Sequence, residues 1–423
     1  MTADSGASDI DAIVAKIAAA PEQEVIVVSH GWNADADDAP ALYNKWLTPV
    51  ANVLTERGLP HPLIVAVHWP SKAWGNEVGV TLGGAVLGGP QEGVLLPIDE
   101  AVASYCALLG ETAEQRDALI EPLTSVLRQS ALGADPAGLA PDVLQNLLDI
   151  RDIVASDGSD EELWDPELAY EQLAEFSEAE AGVAGTVVDS ATLGGAGSWR
   201  LMGLVRQASF WKMKKRARVV GSSGVHHMLA AFQRAAGTTR GTRLHLVGHS
   251  FGCIVVCAAV MGEQLGGARN PVRTLTLIQG AMSMWTLDLE VEVADGASGY
   301  FSPLLDEGLV SGPILVTRST SDHAVGTYYP IASRITGAVL LGPDGKYGAT
   351  GAHGAVGLEP EAWQELVLNP GDTEFDLTAG QLYNVDASAV ISIEAPVEGS
   401  HNDIAKTEIA ALIIAAMAAP VSP

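Results

Sequence analysis

Along the chain the hydrophobic positions alternate between two spacings. Ile10, Ile13, Val14 and Ile17 recur at helical intervals between Asp9 and Ala20 and stop before Pro21, which predicts a short amphipathic helix. Glu24-Val-Ile-Val-Val-Ser then forms an apolar run of the kind a strand buried on both faces requires, and it ends in the loop His30-Gly31-Trp32-Asn33. Asp35, Asp37 and Asp38 precede a second helical pattern, Leu42, Trp46, Val50, Val53 and Leu54, which stops at Gly58 and carries Pro49 as a candidate kink. Leu63-Ile-Val-Ala-Val-His-Trp-Pro repeats the strand pattern, with Pro70 ending it. Strand, helix and strand in this rhythm predict a parallel sheet.

The rhythm is lost from about Ala73 to Ser198. A glycine-rich stretch (Gly79 to Gly93) leads into helical patterns at Ile98 to Leu109 and Ala113 to Leu127, followed by eleven acidic residues and no basic one between Asp152 and Glu180. Residues 75–198 are expected to form a helical insertion, and both a lid and a solvated surface excursion fit them. Phe210-Trp-Lys-Met-Lys-Lys-Arg-Ala-Arg, the one basic cluster, is expected to be the solvated face of a helix running on to Met228, Leu229 and Phe232. Strands then resume at Arg243, Val272, Pro313 and Gln381. The prediction is an α/β fold, a mostly parallel central sheet of about six strands flanked by helices, built from residues 1–74 and 199–423.

Composition narrows the function. The chain of 423 residues has a formal net charge of -29, which argues against a general affinity for nucleic acid or for anionic membranes. Ile404 to Ala419 is apolar but broken by Lys406, Thr407 and Glu408, so stable membrane anchoring is not expected and a packed C-terminal helix is, capped by Asn402 or Asp403. Cys106, Cys253 and Cys257 read as buried free thiols. With an N-terminus that lacks signal-peptide character, they suggest a cytoplasmic protein. No His, Cys, Asp and Glu cluster has metal-ligand spacing, so metal catalysis is not expected.

The chemistry concentrates at Gly248-His249-Ser250-Phe251-Gly252, where an alternating strand runs into an apolar helix. A serine on a sharp strand-to-helix turn needs small residues two before and two after it, and its hydroxyl then stands at the N-terminus of the helix. Such a hydroxyl is a weak nucleophile until a histidine takes its proton, and the histidine needs a carboxylate to fix its tautomer. Asp322 follows a predicted strand at the right place, with Asp288 as the other candidate. His401 lies beyond the last predicted strand, with His353 as its competitor, while His323 is too close to Asp322 in sequence to fill the role. Two oxyanion donors are expected, the backbone N–H groups of Phe251 and Trp32. His30 reads as a residue that holds its loop, and His249 as a packing residue.

His30-Gly31-Trp32, Gly248-His249-Ser250-Phe251-Gly252, Asp322 and His401, in that order, resemble the α/β-hydrolase fold in its lipase and esterase branch. The resemblance spans about Val25 to the C-terminus outside the insertion. It implies a catalytic triad of Ser250, His401 and Asp322, an oxyanion hole at Trp32 and Phe251, an acyl-enzyme intermediate, no cofactor, and a small-molecule ester as substrate. Amide or urethane hydrolysis and acyl transfer use the same groups. An interaction protein on a hydrolase scaffold is the alternative from a different class. The two antiparallel strands that usually open this fold have no counterpart here, since one helix precedes the first strand.

Overall fold

The computed structural model describes residues 3–20, 23–31, 39–71, 78–82, 85–87, 94–132, 139–155, 212–236, 242–262, 271–291, 298–322, 324–325, 348–393 and 400–420. In chain order the first elements are α1 (Ala3–Ala19), β1 (Glu24–Ser29), α2 (Ala39–Glu56) and β2 (Leu63–Val67). They are followed by β3 (Val78–Leu82), β4 (Ala85–Leu87), β5 (Val94–Pro97), α3 (Ile98–Leu109), α4 (Ala113–Leu132) and α5 (Pro141–Ala155). Then come α6 (His226–Ala236), β6 (Arg243–His249), α7 (Phe251–Met261), β7 (Thr274–Ile278), α8 (Pro303–Asp306) and β8 (Ile314–Arg318). The last elements are α9 (Thr350–His353), β9 (Trp363–Val367), β10 (Leu382–Asp386) and α10 (Thr407–Ala418). The chain divides into two compact units, one of which falls, among the described residues, within Lys72–Lys215.

The larger unit is built on a seven-stranded sheet in the order β2-β1-β6-β7-β8-β10-β9, every pairing parallel. Apolar side chains on both faces of the inner strands explain the continuous hydrophobic runs in the sequence. On one face Ile26, Val28, Val247, Leu315 and Val385 pack against Tyr43 and Trp46 of α2 and Ile409, Leu412 and Ile413 of α10. α7 is buried along its whole length, which its uninterrupted apolar composition requires. α2 runs through Pro49 without ending there. Among the described residues no helix is long and apolar enough to cross a membrane. All three cysteines are free and buried.

Two details refine the expected fold, and two expectations are corrected. The sheet has seven strands rather than about six, because β9 adds an edge strand whose half-exposed residues lack an apolar run and whose Glu365 pairs with Arg318 at 2.7 Å. Beside the helices α3 to α5, β3 pairs antiparallel with β4 and parallel with β5 within the glycine-rich stretch and its flanks. The basic cluster is not simply solvated. Lys212 is buried, and its Nζ donates to the carbonyls of Leu109, at 3.0 Å, and Leu108, where a cation stabilises the C-terminal end of α3. Arg218 is buried with its guanidinium 4.8 Å from the centre of the Tyr300 ring. Finally, α10 begins at Thr407 with Lys406 at its N-cap, not Asn402 or Asp403. Asp403 instead accepts the N–H groups of Ser392 and Ile393 and pairs with Lys406 at 2.8 Å.

Candidate active site

β6 delivers Ser250 onto a turn that the backbone adopts at a cost. Ser250 has φ of 57° and ψ of -125°, a conformation that stores about 1–3 kcal/mol in a residue with a Cβ. The turn is tied down by Ser250 N donating to the Ile278 carbonyl at 3.1 Å, while the Ser250 carbonyl accepts Cys253 N at 3.1 Å and Ala281 N at 3.3 Å. The flanking glycines are obligatory. A methyl on Gly248 would lie 2.6 Å from the Cys253 backbone, and one on Gly252 would lie 2.2 Å from the Ser29 carbonyl oxygen. Among the described residues the Ser250 hydroxyl has no hydrogen-bond partner. Phe251, the first residue of α7, is buried.

The loop after β1 abuts the serine. A methyl built on Gly31 would stand 2.6 Å from Ser250 Cβ and 3.0 Å from its Oγ, so the backbone at Gly31 passes directly beside the hydroxyl. Trp32 lies outside the described residues. His30 is buried and its Nδ1–H donates to the Gly31 carbonyl at 2.8 Å. Its N–H donates to the Tyr43 hydroxyl at 2.8 Å, which donates in turn to the Val67 carbonyl at 2.5 Å. Trp69 stacks on the His30 ring at 5.7 Å and donates its indole N–H to the His30 carbonyl at 2.9 Å. Neither Tyr43 nor Trp69 is singled out by the sequence, where both look like apolar filling. Tyr43→Phe leaves the buried His30 N–H unpaired and is expected to cost about 1–3 kcal/mol, read as a lower denaturant midpoint. An unchanged midpoint would show that Trp69 holds the loop alone.

Asp322 and His401 come from loops at the C-terminal ends of β8 and β10, and those loops are joined. Ser400 N donates to the Ser321 carbonyl at 2.9 Å, and Ser319 Oγ donates to the Ile391 carbonyl at 2.7 Å. The result is a buried bond of 2.8 Å between His401 Nδ1 and Asp322 Oδ2. Asp322 Oδ1 accepts Val325 N at 3.1 Å and Oδ2 also accepts Gln279 Nε2 at 2.7 Å. His353 is not among the partners of this carboxylate. Asp288 accepts the N–H of Glu290 at 3.1 Å, two residues on in its own loop, and serves as a turn residue.

His249 does more than fill space. Its Nε2–H donates to the His401 carbonyl at 2.9 Å, its ring lies 4.7 Å from that of His401, and Trp46 meets it edge-on at 4.8 Å. Because His249 adjoins Ser250 in the chain, this contact brings the His401 loop to the serine turn. The strand order and the loops that supply these groups now stand together. The architecture is that of the α/β-hydrolase fold. No protein-family model, curated protein or solved structure matches the chain.

This hydrolase-fold unit buries three imidazoles that stay neutral. Burial lowers His30, His245 and His249 below the ordinary imidazole value of 6.5, His249 well below it. His245 Nε2–H donates to Glu24 at 2.7 Å, and its Nδ1 lies 2.8 Å from the Thr274 hydroxyl. Burial works to raise the Glu24 carboxyl, but the hydrogen bonds and charges of His245 and Arg243 outweigh it and hold Glu24 below its ordinary value. Each of these histidines takes up a proton in the unfolded chain before the folded one. Their contribution to stability is therefore present above about pH 6.5 and lost as pH falls below it, by at most about 1.4 kcal/mol per pH unit for each proton. The Glu24 contribution is lost only below about pH 4.5. Thermal unfolding midpoints are expected to fall as pH drops from about 6.5 to 5; a flat profile there would contradict neutral burial.

Proposed function

We propose that the protein is a serine hydrolase that cleaves carboxylic esters through an acyl-enzyme. The observation that carries this reading is the buried 2.8 Å bond between His401 Nδ1 and Asp322 Oδ2, with the His401 carbonyl bonded to His249, the residue before a positive-φ serine. In that bond His401 donates Nδ1–H to a carboxylate, which leaves the Nε2 lone pair to accept the Ser250 proton as the hydroxyl attacks the ester carbonyl. Asp322 then stabilises the imidazolium, and the proton passes to the departing alcohol. Water, activated by the same nitrogen, releases the acid.

The oxyanion of each tetrahedral intermediate would be met by Phe251 N–H at the start of α7 and by Trp32 N–H, two residues after His30 in sequence. Residues 75–198 are the proposed determinant of which ester enters, and a variant lacking them should change substrate preference. The decisive test is a fluorophosphonate probe on the full-length protein, with the adduct located by mass spectrometry. Labelling at Ser250, together with turnover of p-nitrophenyl acetate in preference to the matching anilide, supports the ester hydrolase. Absence of labelling overturns it in favour of a non-catalytic scaffold.

A further inference from the structure

Gln279 immediately follows β7 and departs from what stability favours in two independent ways. Its φ is 47°, and among the described residues only Ser250 shares a positive φ without being glycine. That backbone region suits glycine and disfavours any residue with a Cβ. Its side chain is also fully buried although it is polar, which is tolerated only where each polar atom finds a partner.

The partners converge on the site. Nε2 donates to Asp322 Oδ2 at 2.7 Å and to the Gly351 carbonyl at 3.3 Å. Oε1 accepts from Thr317 Oγ1 at 3.0 Å, and Thr317 Oγ1 in turn accepts Gln279 N at 3.0 Å. Both groups facing Nε2 can only accept, so a flipped amide would set oxygen against oxygen; the network fixes the orientation. The oxygen that receives this amide is the same one that receives His401 Nδ1–H at 2.8 Å.

We propose that Gln279 is a positioning residue of the site: its amide holds the Asp322 carboxylate in the orientation in which Oδ2 receives His401. The proposal rests on the serine-hydrolase reading, in which His401 is the base. Three donors, Gln279 Nε2, His401 Nδ1 and Val325 N, fix the carboxylate in rotation, and Thr317 fixes the amide. The strained backbone at Gln279 is thereby accounted for. A glycine would suit the φ but would supply no donor.

Three variants of the full-length protein test this. Gln279→Gly removes the amide and suits the backbone, whereas Gln279→Ala removes the amide and keeps the strain. If the amide positions Asp322, both lose kcat by roughly 10- to 100-fold, with KM for p-nitrophenyl acetate changed by less than about threefold, although the glycine variant unfolds at the higher temperature. Activity that follows stability instead, near wild type for glycine and lower for alanine, overturns the proposal.

Gln279→Glu adds a pH signature. The titratable groups around the new carboxyl are Asp322, His401 bonded to Asp322, and His249, whose ring is tilted against that of His401. While the carboxyl is protonated it donates to Asp322 as the amide does, and once ionised it repels Asp322. The kcat of this variant relative to wild type is therefore expected to fall as pH rises; a ratio that rises with pH overturns the proposal. Proton NMR reads the same geometry without turnover, through the low-field Nδ1–H resonance identified by its loss in His401→Gln. A shift or broadening of that resonance in Gln279→Gly, in a protein that hydrolyses no ester, would sink the hydrolase reading and leave the positioning intact. An unchanged resonance with unchanged kcat would sink the positioning alone.

Discussion

Ser250→Ala is expected to lower kcat for p-nitrophenyl acetate by about four orders of magnitude or more, and to abolish fluorophosphonate labelling, while leaving the unfolding temperature close to that of the wild type. The size of the effect follows from the proposed chemistry: without the hydroxyl there is no acyl-enzyme, and only binding and oxyanion stabilisation remain. The unchanged stability follows from the geometry. Among the described residues the hydroxyl makes no hydrogen bond, and alanine keeps the Cβ that makes φ of 57° unfavourable. Ser250→Gly separates the two effects. It should be equally inactive yet more stable than Ser250→Ala by about 1 kcal/mol, because only glycine relaxes at this φ. Undiminished turnover in Ser250→Ala would remove the serine from the mechanism. Equal stability of the two variants would mean that the turn carries no strain.

The inner strands β1, β6, β7, β8 and β10, and β2 at one edge, were legible in the sequence because burial writes itself as an apolar run. β9 was not, since an edge strand in which Gln364 and Glu365 are both exposed carries no such run. β3 to β5 were hidden in the same way by glycine, which signals turns before it signals sheet. Asp322 and His401 could be nominated because each stands just beyond a strand, where ligands of parallel sheets are met. Gln279 occupies the same kind of position after β7 and carried one usable signal, a polar residue between a buried apolar strand and Gly280. What makes it matter is its left-handed backbone together with a hydrogen bond to a residue 43 positions away, and neither is written in the local pattern. The Lys212 error has the same origin, because the carbonyls that neutralise its burial lie about a hundred residues earlier.

Asp322→Asn is the second large effect expected, a loss in kcat of about four orders of magnitude with the fold retained. The wild-type carboxylate only accepts, and it accepts at both oxygens: His401 Nδ1 and Gln279 Nε2 on Oδ2, Val325 N on Oδ1. An asparagine cannot satisfy all three. With its oxygen toward His401 and Gln279, its NH2 group faces the Val325 N–H, donor against donor. With its NH2 group toward His401, it forces the imidazole into the other tautomer, in which Nε2 bears the hydrogen and cannot take the serine proton. The first arrangement costs stability and keeps some activity; the second keeps the Val325 bond and loses the base. One donor is opposed in each arrangement, Val325 N–H in the first and Gln279 Nε2 in the second, where His401 must also change tautomer. The two can be told apart by Asp322→Asn combined with Gln279→Gly. Removing the Gln279 donor lowers the penalty of the inactive flip, so the double variant should be at least as inactive as Asp322→Asn alone, and more stable than additivity predicts. A double variant that regains activity would show that Asp322 does not set the tautomer of His401.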